Sequence, residues 1–215
     1  MPLLFNSELV PIAVLKPPVV FNCNAPTPLA VFHDPEVFEV NASYPTAVLP
    51  IPEVRTFIKN GIAETIKSNF PDVEAIAGVA TAGIPQGALV ADYLDLPFCY
   101  VRPEPKKHGM GNQIEGSIQP GQKVVLIEDL ISTGGSSLKA AEGLVNAGAK
   151  VLGMAAIFTY GFDISVQNFK NANIPFYALS NYDVLIDEAV KLNYISDSQL
   201  VTLQDWRLNP SEWRK

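Results

Sequence analysis

The sequence predicts an α/β domain with a mostly parallel central sheet flanked by helices, and three observations carry that prediction. From residue 52 onward, apolar stretches suited to strands alternate with stretches of helical periodicity. Val124–Ile127 is a run of four apolar residues, as expected of a strand that is covered on both faces. Three glycine-rich or polar loops each follow a predicted strand, and they are 80–83, 102–116 and 129–136. In parallel sheets, ligands bind at the C-terminal ends of the strands, which is where these loops are expected.

Composition limits the classes of protein to consider. With 215 residues, 48% of them hydrophobic, the chain suits one domain of ordinary size with a full core. A net charge of −7 argues against general nucleic-acid binding, which usually requires a basic face. The two cysteines have no metal-binding spacing, and no apolar run reaches membrane-spanning length. With no signal peptide recognised, we expect a cytoplasmic protein that binds neither nucleic acid nor membrane.

Residues 1–52 differ in pattern from the rest of the chain. Prolines recur too densely for helices to form, and one strand is expected near Phe38–Val40. We therefore predict an atypical N-terminal segment at 1–52 and a core domain at 53–215.

The core domain begins with a predicted helix from Pro52 to about Asn69, because apolar residues recur there at helical spacing. A tight turn is expected at Ala80–Pro85, followed by a helix to about Leu94. Ser196 or Asp197 is expected to cap the last helix. The predicted strands are Asp72–Val79, Phe98–Val101, Lys123–Ile127, Ala149–Phe158 and Phe176–Leu179, and the later helices are Ser137–Asn146, Ile164–Asn171, Tyr182–Leu192 and Ser196–Asp205.

The most informative stretch follows the apolar run of Val124–Ile127. Two acids, Glu128 and Asp129, are expected at the C-terminal end of this strand, where carboxylates suit sugar hydroxyls. The small residues of 132–136 allow successive backbone N–H groups to converge on one anion, and Ser136 is expected to cap the next helix. This pattern predicts a site for a sugar monophosphate. The alternative is an ordinary strand-to-helix turn with two solvated acids.

A second informative stretch is the polar loop of 102–116. It contains Arg102, Lys106, Lys107 and His108 together with three glycines. A loop of this length and composition is not typical of an ordinary hairpin. Arg and Lys suit diphosphate oxygens, and glycines would let the loop close over a ligand. The alternative is a solvated basic loop.

The strand, acids and small-residue loop of 124–136 resemble the motif with which type I phosphoribosyltransferases bind phosphoribosyl diphosphate (PRPP). The resemblance implies the type I fold, with a small hood region. Arg102, Lys106 and His108-Gly109 resemble the hood loop of the orotate phosphoribosyltransferases in particular, although Pro103 replaces a cation. The resemblance covers about Glu53 to the C-terminus. It implies transfer of phosphoribose from PRPP to orotate, which gives orotidine 5′-monophosphate and diphosphate in pyrimidine biosynthesis.

The resemblance also implies roles for individual residues. Lys106, His108 and Asp129 would be catalytic, Ser132 would lie toward orotate, and magnesium would come bound to PRPP rather than to a protein site. The enzyme would be a homodimer whose loop reaches the partner's active site. The implied PRPP-binding residues are Arg102, Lys106, His108, Glu128, Asp129, Leu130, Ile131, Ser132, Thr133, Gly134, Gly135 and Ser136, with a diphosphate turn at Thr81, Ala82 and Gly83.

The sequence departs from that family before residue 52. A segment of the form Ser-Gly-x-Lys-Ser-Pro-x-Tyr-x-Asp-x-Arg is absent from 22–51, although Pro52-Glu53-Val54-Arg55 continues as the family does. One hypothesis is a compensated frameshift, because Asn22–Leu29 read in another frame can encode a family-like peptide. The DNA tests it, since the hypothesis fails if no other frame of codons 20–51 gives such a peptide.

Three other readings stay open at the level of sequence. The chain could transfer phosphoribose to another base, although hoods of purine-specific members are often rich in aromatic residues. It could bind PRPP as a regulator without catalysis, because fold alone does not define function. It could also be an impaired copy of the enzyme, for which the first 52 residues are the argument.

Overall fold

Six strands form the central sheet in a computed structural model of the chain, which describes residues 13–15, 30–32, 52–104, 113–208 and 210–211. The strand order is β5-β4-β3-β6-β7-β8, and every neighbouring pair is parallel except β4 and β5. The strands are β3 (Ala75–Val79), β4 (Phe98–Val101), β5 (Ile114–Gly116), β6 (Lys123–Ile131), β7 (Lys150–Thr159) and β8 (Phe176–Asn181). The predicted fold class is confirmed.

The helices alternate with these strands as predicted. They are α1 (Pro52–Asn69), α2 (Gly83–Leu94), α3 (Gly135–Asn146), α4 (Asp163–Asn171), α5 (Tyr182–Lys191) and α6 (Asp197–Leu208). Two short strands before them, β1 (Ala13–Leu15) and β2 (Ala30–Phe32), pair in parallel. No described helix combines the length and the apolar character needed to cross a membrane.

Several predicted boundaries were wrong. The loop expected to reach Gly116 ends earlier, because Ile114–Gly116 pairs with β4 as an edge strand and the Tyr100 hydroxyl donates to Glu115 at 2.6 Å. The strand expected from Asp72 begins at Ala75, since a turn closed by Val73 N–H on the Phe70 carbonyl precedes it (3.1 Å). Helices α2 and α3 begin at Gly83 and Gly135, inside the predicted turns. The strand expected near Phe38–Val40 lies outside the described residues.

Helices α2 and α3 cover opposite faces of the sheet. Ala77 and Val79 of β3 belong to the core cluster that contains Leu144 of α3. Between them, Gly78 points to the other face, where an added Cβ would lie 2.8 Å from the Gly83 carbonyl oxygen of α2. The alternation of side chains along β3 therefore places one helix on each face, and all five residues of the strand are buried.

Residues 57–182 form one compact unit, and residues 52–56 and those from Asp183 onward belong to a second. In the second unit, Ser196 precedes α6 and exchanges two hydrogen bonds with Gln199. The Gln199 N–H donates to Ser196 Oγ at 3.4 Å, and the Ser196 N–H donates to Gln199 Oε1 at 2.8 Å. The prediction that Ser196 caps this helix is confirmed. The division of the sequence at residue 52 stays a prediction.

Candidate active site

Strand β6 carries the two acids to the C-terminal edge of the sheet. The acids were expected at the C-terminal end of this strand, but the predicted strand end at Ile127 was wrong, because β6 continues to Ile131 by pairing with β7. Its pairing with β3 on the other side stops at Ile127. Glu128 and Asp129 therefore lie where β6 extends beyond β3, next to the turn that follows β3.

Glu128 is buried and hydrogen-bonded, with 6% of its surface exposed. The hydroxyl of Ser137 donates to its Oε2 at 2.9 Å, and the N–H of Asp129 donates to its Oε1 at 3.2 Å. Burial first, and then the neighbouring Asp129 carboxylate, raise the pKa of Glu128, the hydrogen bonds from Ser137 and from the Asp129 N–H lower it, and together these effects give a pKa of about 8. Near neutral pH this carboxyl therefore mostly keeps its proton. Asp129 is only half-buried.

The predicted diphosphate turn lies against the acids. An added Cβ on Gly83 would collide with the backbone carbonyl oxygen of Ile127, so only glycine allows this approach. The turn is fixed by two hydrogen bonds, from the Ala80 N–H to the Val101 carbonyl at 2.8 Å and from the Ile84 N–H to the Thr81 carbonyl at 3.2 Å. Thr81 is exposed, and Ala82, the N-cap of α2, supplies no side-chain cap. Backbone groups, not side chains, thus dominate this turn.

The predicted phosphate loop leads directly into α3. Gly134 is the N-cap residue with φ of +80°, a left-handed conformation that glycine adopts without strain. The prediction that Ser136 caps α3 was wrong, because the helix begins one residue before it and has no side-chain cap. Thr133, Gly135 and Ser136 are exposed. Helix α3 therefore begins with two small, exposed residues, Gly135 and Ser136, and with no side-chain cap, which leaves its first N–H groups free to meet an anion.

The other predicted residues of this stretch differ in accessibility. Ser132 and Leu130 are half-buried, whereas Ile131 is fully buried in the core. Ile131 contributes its backbone carbonyl, which accepts the Tyr160 N–H at 3.1 Å and the Thr159 hydroxyl at 3.2 Å. These bonds tie the end of β6 to the end of β7, so Ile131 supports the loop from the core.

Arg102 lies at the end of β4, on the same edge of the sheet. Its guanidinium Nη2 is 3.8 Å from Glu115 Oε1, and its buried Nε has no hydrogen-bond partner among the described residues. The structure therefore brings Arg102, the turn and the acids to one edge. The predicted catalytic residues Lys106 and His108 lie outside the described residues.

Sequence reasoning missed two supporting residues. Ser137 holds Glu128, and Asn168 of α4 donates its side-chain Nδ2 to the Thr133 carbonyl at 3.0 Å. A serine inside a helix and an asparagine on a polar helix face carry no sequence signal for such roles. Their partners are distant in sequence, so the contacts follow from tertiary packing.

A mostly parallel sheet with acids on a central strand, followed by an uncapped helix start, is the arrangement in which α/β proteins bind phosphate-bearing ligands. Comparison with known proteins identifies the family. Residues 47–172 match the family described as "Phosphoribosyl transferase domain".

Similar proteins define the branch of that family. An orotate phosphoribosyltransferase of Cytophaga hutchinsonii is 59% identical over 161 residues, which cover 75% of this chain and 77% of that protein. One of Listeria innocua is 56% identical over 162 residues, or 75% and 78% of the two chains. The chain therefore belongs to the orotate phosphoribosyltransferases.

Solved structures support the fold. The structure of Leishmania donovani UMP synthase matches with a TM-score of 0.63 and 22% identity over 80% of this chain. The match spans only 38% of that longer protein, so it bears on the fold alone.

Proposed function

We propose that the chain transfers the phosphoribosyl group of PRPP to orotate, releasing diphosphate and forming orotidine 5′-monophosphate for pyrimidine biosynthesis. The observation that carries the proposal is the joint position of three features at one sheet edge: the Glu128–Asp129 pair, the uncapped start of α3, and the glycine turn pressed against Ile127. Orotate phosphoribosyltransferases that are 52–59% identical support the choice of base.

The proposed roles follow from the chemistry of the bond that breaks. Cleavage between ribose C1 and the diphosphate places positive charge on the sugar ring, so the enzyme must hold the sugar and neutralise the leaving group. Asp129 and Glu128 would anchor the ribose hydroxyls through hydrogen bonds. The amides of 133–136 would hold the 5-phosphate, and Ser132 would lie toward orotate.

The leaving diphosphate would be held from the β3 and β4 side of the site. Backbone groups of Thr81, Ala82 and Gly83 can approach it closely, and Arg102 supplies a guanidinium fork. Lys106 would stabilise the departing charge, and His108 would donate a hydrogen bond or a proton to the leaving oxygen. These last two roles rest on the sequence alone.

Magnesium fits this site as a companion of the substrate. In the part of the chain that the structure describes, no three His, Cys, Asp or Glu side chains gather into a group that could hold a metal. Mg²⁺ prefers phosphate oxygens and keeps several of its waters, so the metal would arrive bound to the PRPP oxygens. Bound magnesium would neutralise part of the diphosphate charge.

We further propose a homodimer with shared active sites, located in the cytoplasm. The dimer follows from the resemblance of 102–109 to a loop that serves the partner subunit. The location is proposed because the chain has only two cysteines, too few for the disulfide framework of many secreted domains, which suits a reducing compartment.

A spectrophotometric assay of purified protein with orotate, PRPP and magnesium tests the function. We expect orotate consumption that Asp129→Asn and His108→Ala each reduce by about a hundredfold or more, the scale on which positioning and electrostatic groups act. Consumption of a purine base instead would indicate a different phosphoribosyltransferase. PRPP binding without turnover of any base would indicate a regulator or an impaired enzyme.

A further inference from the structure

One side chain, Gln113, joins the two ends of the stretch that separates β4 from β5. The Arg102 N–H donates to the Gln113 carbonyl at 2.9 Å, and Gln113 Nε2 donates to the Arg102 carbonyl at 2.8 Å. Gln113 therefore binds both the N–H and the carbonyl of Arg102. These bonds fix the backbone position from which the Arg102 side chain extends.

The same carboxamide lies against α3. Its Nε2 is 3.5 Å from the carbonyls of Pro103 and Lys139, and these two contacts must share the second amide hydrogen. Gly143 lies one helical turn beyond Lys139, and its missing side chain leaves the space that the Gln113 carboxamide occupies. A Cβ at Gly143 would lie 2.5 to 2.9 Å from the three terminal atoms of Gln113, closer than real contacts allow.

A glycine in the middle of α3 requires an explanation, because glycine is a poor residue for a helix interior. The Gln113 side chain supplies one, since it occupies the space a larger residue would fill. An ion pair between Lys139 Nζ and Glu104 Oε1 at 3.3 Å adds a second link, but both groups are well exposed, and such pairs contribute little. Of these two polar links between α3 and the stretch after β4, the contact of Gln113 with Gly143 is therefore the stronger.

We propose that Gln113 is a positioning residue for the transferase reaction. Helix α3 starts at Gly135, inside the predicted phosphate loop of 132–136, so its axis is fixed relative to the proposed 5-phosphate site. By seating on Gly143 while holding Arg102, Gln113 sets the distance between the phosphate end and the diphosphate end of PRPP. The inference rests on the proposed function and deepens it, because it assigns a residue that orients Arg102.

The test uses Gln113→Ala, Gly143→Ala and the double variant. We expect each single change to lower kcat/KM for PRPP by about tenfold to a hundredfold, because small misplacements of binding groups cost that much. Affinity for ribose 5-phosphate, which lacks the diphosphate, should stay within about twofold, since its binding site remains intact. The double variant should match Gln113→Ala, because the Cβ at position 143 collides only when Gln113 is present.

Two matched controls come from elsewhere in the same unit. Gln122→Ala removes a glutamine whose carboxamide accepts the Gln119 N–H at 3.0 Å and donates to the Glu74 carbonyl at 3.3 Å, at the N-terminal ends of the parallel strands. Gly61→Ala changes a helix glycine at which the three atoms nearest to an added Cβ all belong to the Leu179 side chain, the closest at 3.2 Å. Both should keep wild-type kinetics for PRPP.

Wild-type kcat/KM for PRPP in Gln113→Ala would overturn the proposal, as would an equal loss of ribose 5-phosphate affinity. If Gln113→Ala prevents folding, Gln113→Glu keeps the size of the side chain but removes its amide donors. It should likewise lower kcat/KM for PRPP and leave affinity for ribose 5-phosphate unchanged. If the wild-type protein binds ribose 5-phosphate but turns over no orotate, the proposed function fails separately. In that case the affinity for diphosphate, compared between the wild type and Gln113→Ala, tests the role of Gln113. If Gln113 positions Arg102, the variant must bind diphosphate more weakly.

Discussion

At the scale of single residues, Glu128 is the titratable side chain whose pKa is shifted furthest among the residues that the structure describes. Its carboxyl is buried beside Asp129, and its pKa is raised from 4.5 to about 8. A raised carboxyl pKa means that the folded state prefers the protonated form. The favourable contribution of this group is complete below pH 4.5 and is lost progressively as the pH rises toward 8.

We therefore predict that Glu128→Gln, which mimics the protonated acid, gains stability relative to the wild type as the pH rises. The gain should approach a few kcal/mol, on the order set by a shift of this size. Thermal unfolding of both proteins between pH 4.5 and 8.5 measures it. Glu142→Gln, a change at an exposed glutamate of α3, is the matched control. Parallel curves for Glu128→Gln and the wild type would contradict the prediction.

At the scale of elements, the two serines expected to cap helices should behave differently. Ser196 exchanges hydrogen bonds with Gln199 at the start of α6, whereas Ser136 lies inside α3. Ser196→Ala should destabilise its helix by about 0.5–2 kcal/mol, because it leaves an unpaired N–H. Ser136→Ala should change stability by less than about 0.5 kcal/mol. Urea unfolding compares the two, and equal effects would refute the difference in capping.

The close contact between α2 and β6 makes a second prediction at this scale. Gly83→Ala places a methyl group against the Ile127 carbonyl, a backbone atom that moves only if β6 distorts. We expect a loss of about 1–3 kcal/mol in stability, together with weaker diphosphate binding. Gly135→Ala is the matched control for stability, since the nearest atom to its Cβ would be Thr133 Oγ1 at 3.9 Å. Denaturant unfolding with calorimetric titration of diphosphate measures both effects.

The elements that sequence predicted well are those in which periodicity and packing agree. The spacing of Ile58, Ile62 and Ile66 predicted α1, and all three are buried. The ends of elements were predicted less well, because pairing decides them. Glu128 and Asp129 extend β6 since β7 continues beside them, and Ile114–Gly116 is a strand only because β4 offers an open edge. Neither strand boundary can be predicted from the local sequence, because each depends on a neighbouring strand.

The candidate site divides in the same way. The residues proposed to bind the ligand lie mostly in one continuous motif, so 128–136 could be named from the sequence, although Ile131 is buried in the core. The residues that hold the motif in place could not, because Ser137, Asn168 and Gln113 meet their partners through the fold of the sheet and helices. Polar residues of this kind resemble any solvated helix or loop position until their neighbours are known.

At the scale of the whole molecule, the proposed dimer makes a prediction that separates shared from self-contained active sites. If the loop that carries Lys106 and His108 serves the partner's site, a subunit with Lys106→Ala still has an intact phosphate site. A subunit with Asp129→Asn still has an intact loop. A mixed dimer of the two then contains one complete site.

We predict that mixing these two inactive variants, after dissociation and reassociation, restores about a quarter of the wild-type activity, because half of the dimers are mixed and each has one complete site. Lys106→Ala mixed with His108→Ala is the matched control. Both changes lie on the loop, so no mixed dimer has a complete site and no activity should return. Steady-state assays at several mixing ratios, with sedimentation to confirm exchange, measure the effect. If exchange occurs and activity stays absent in both mixtures, each loop serves its own subunit.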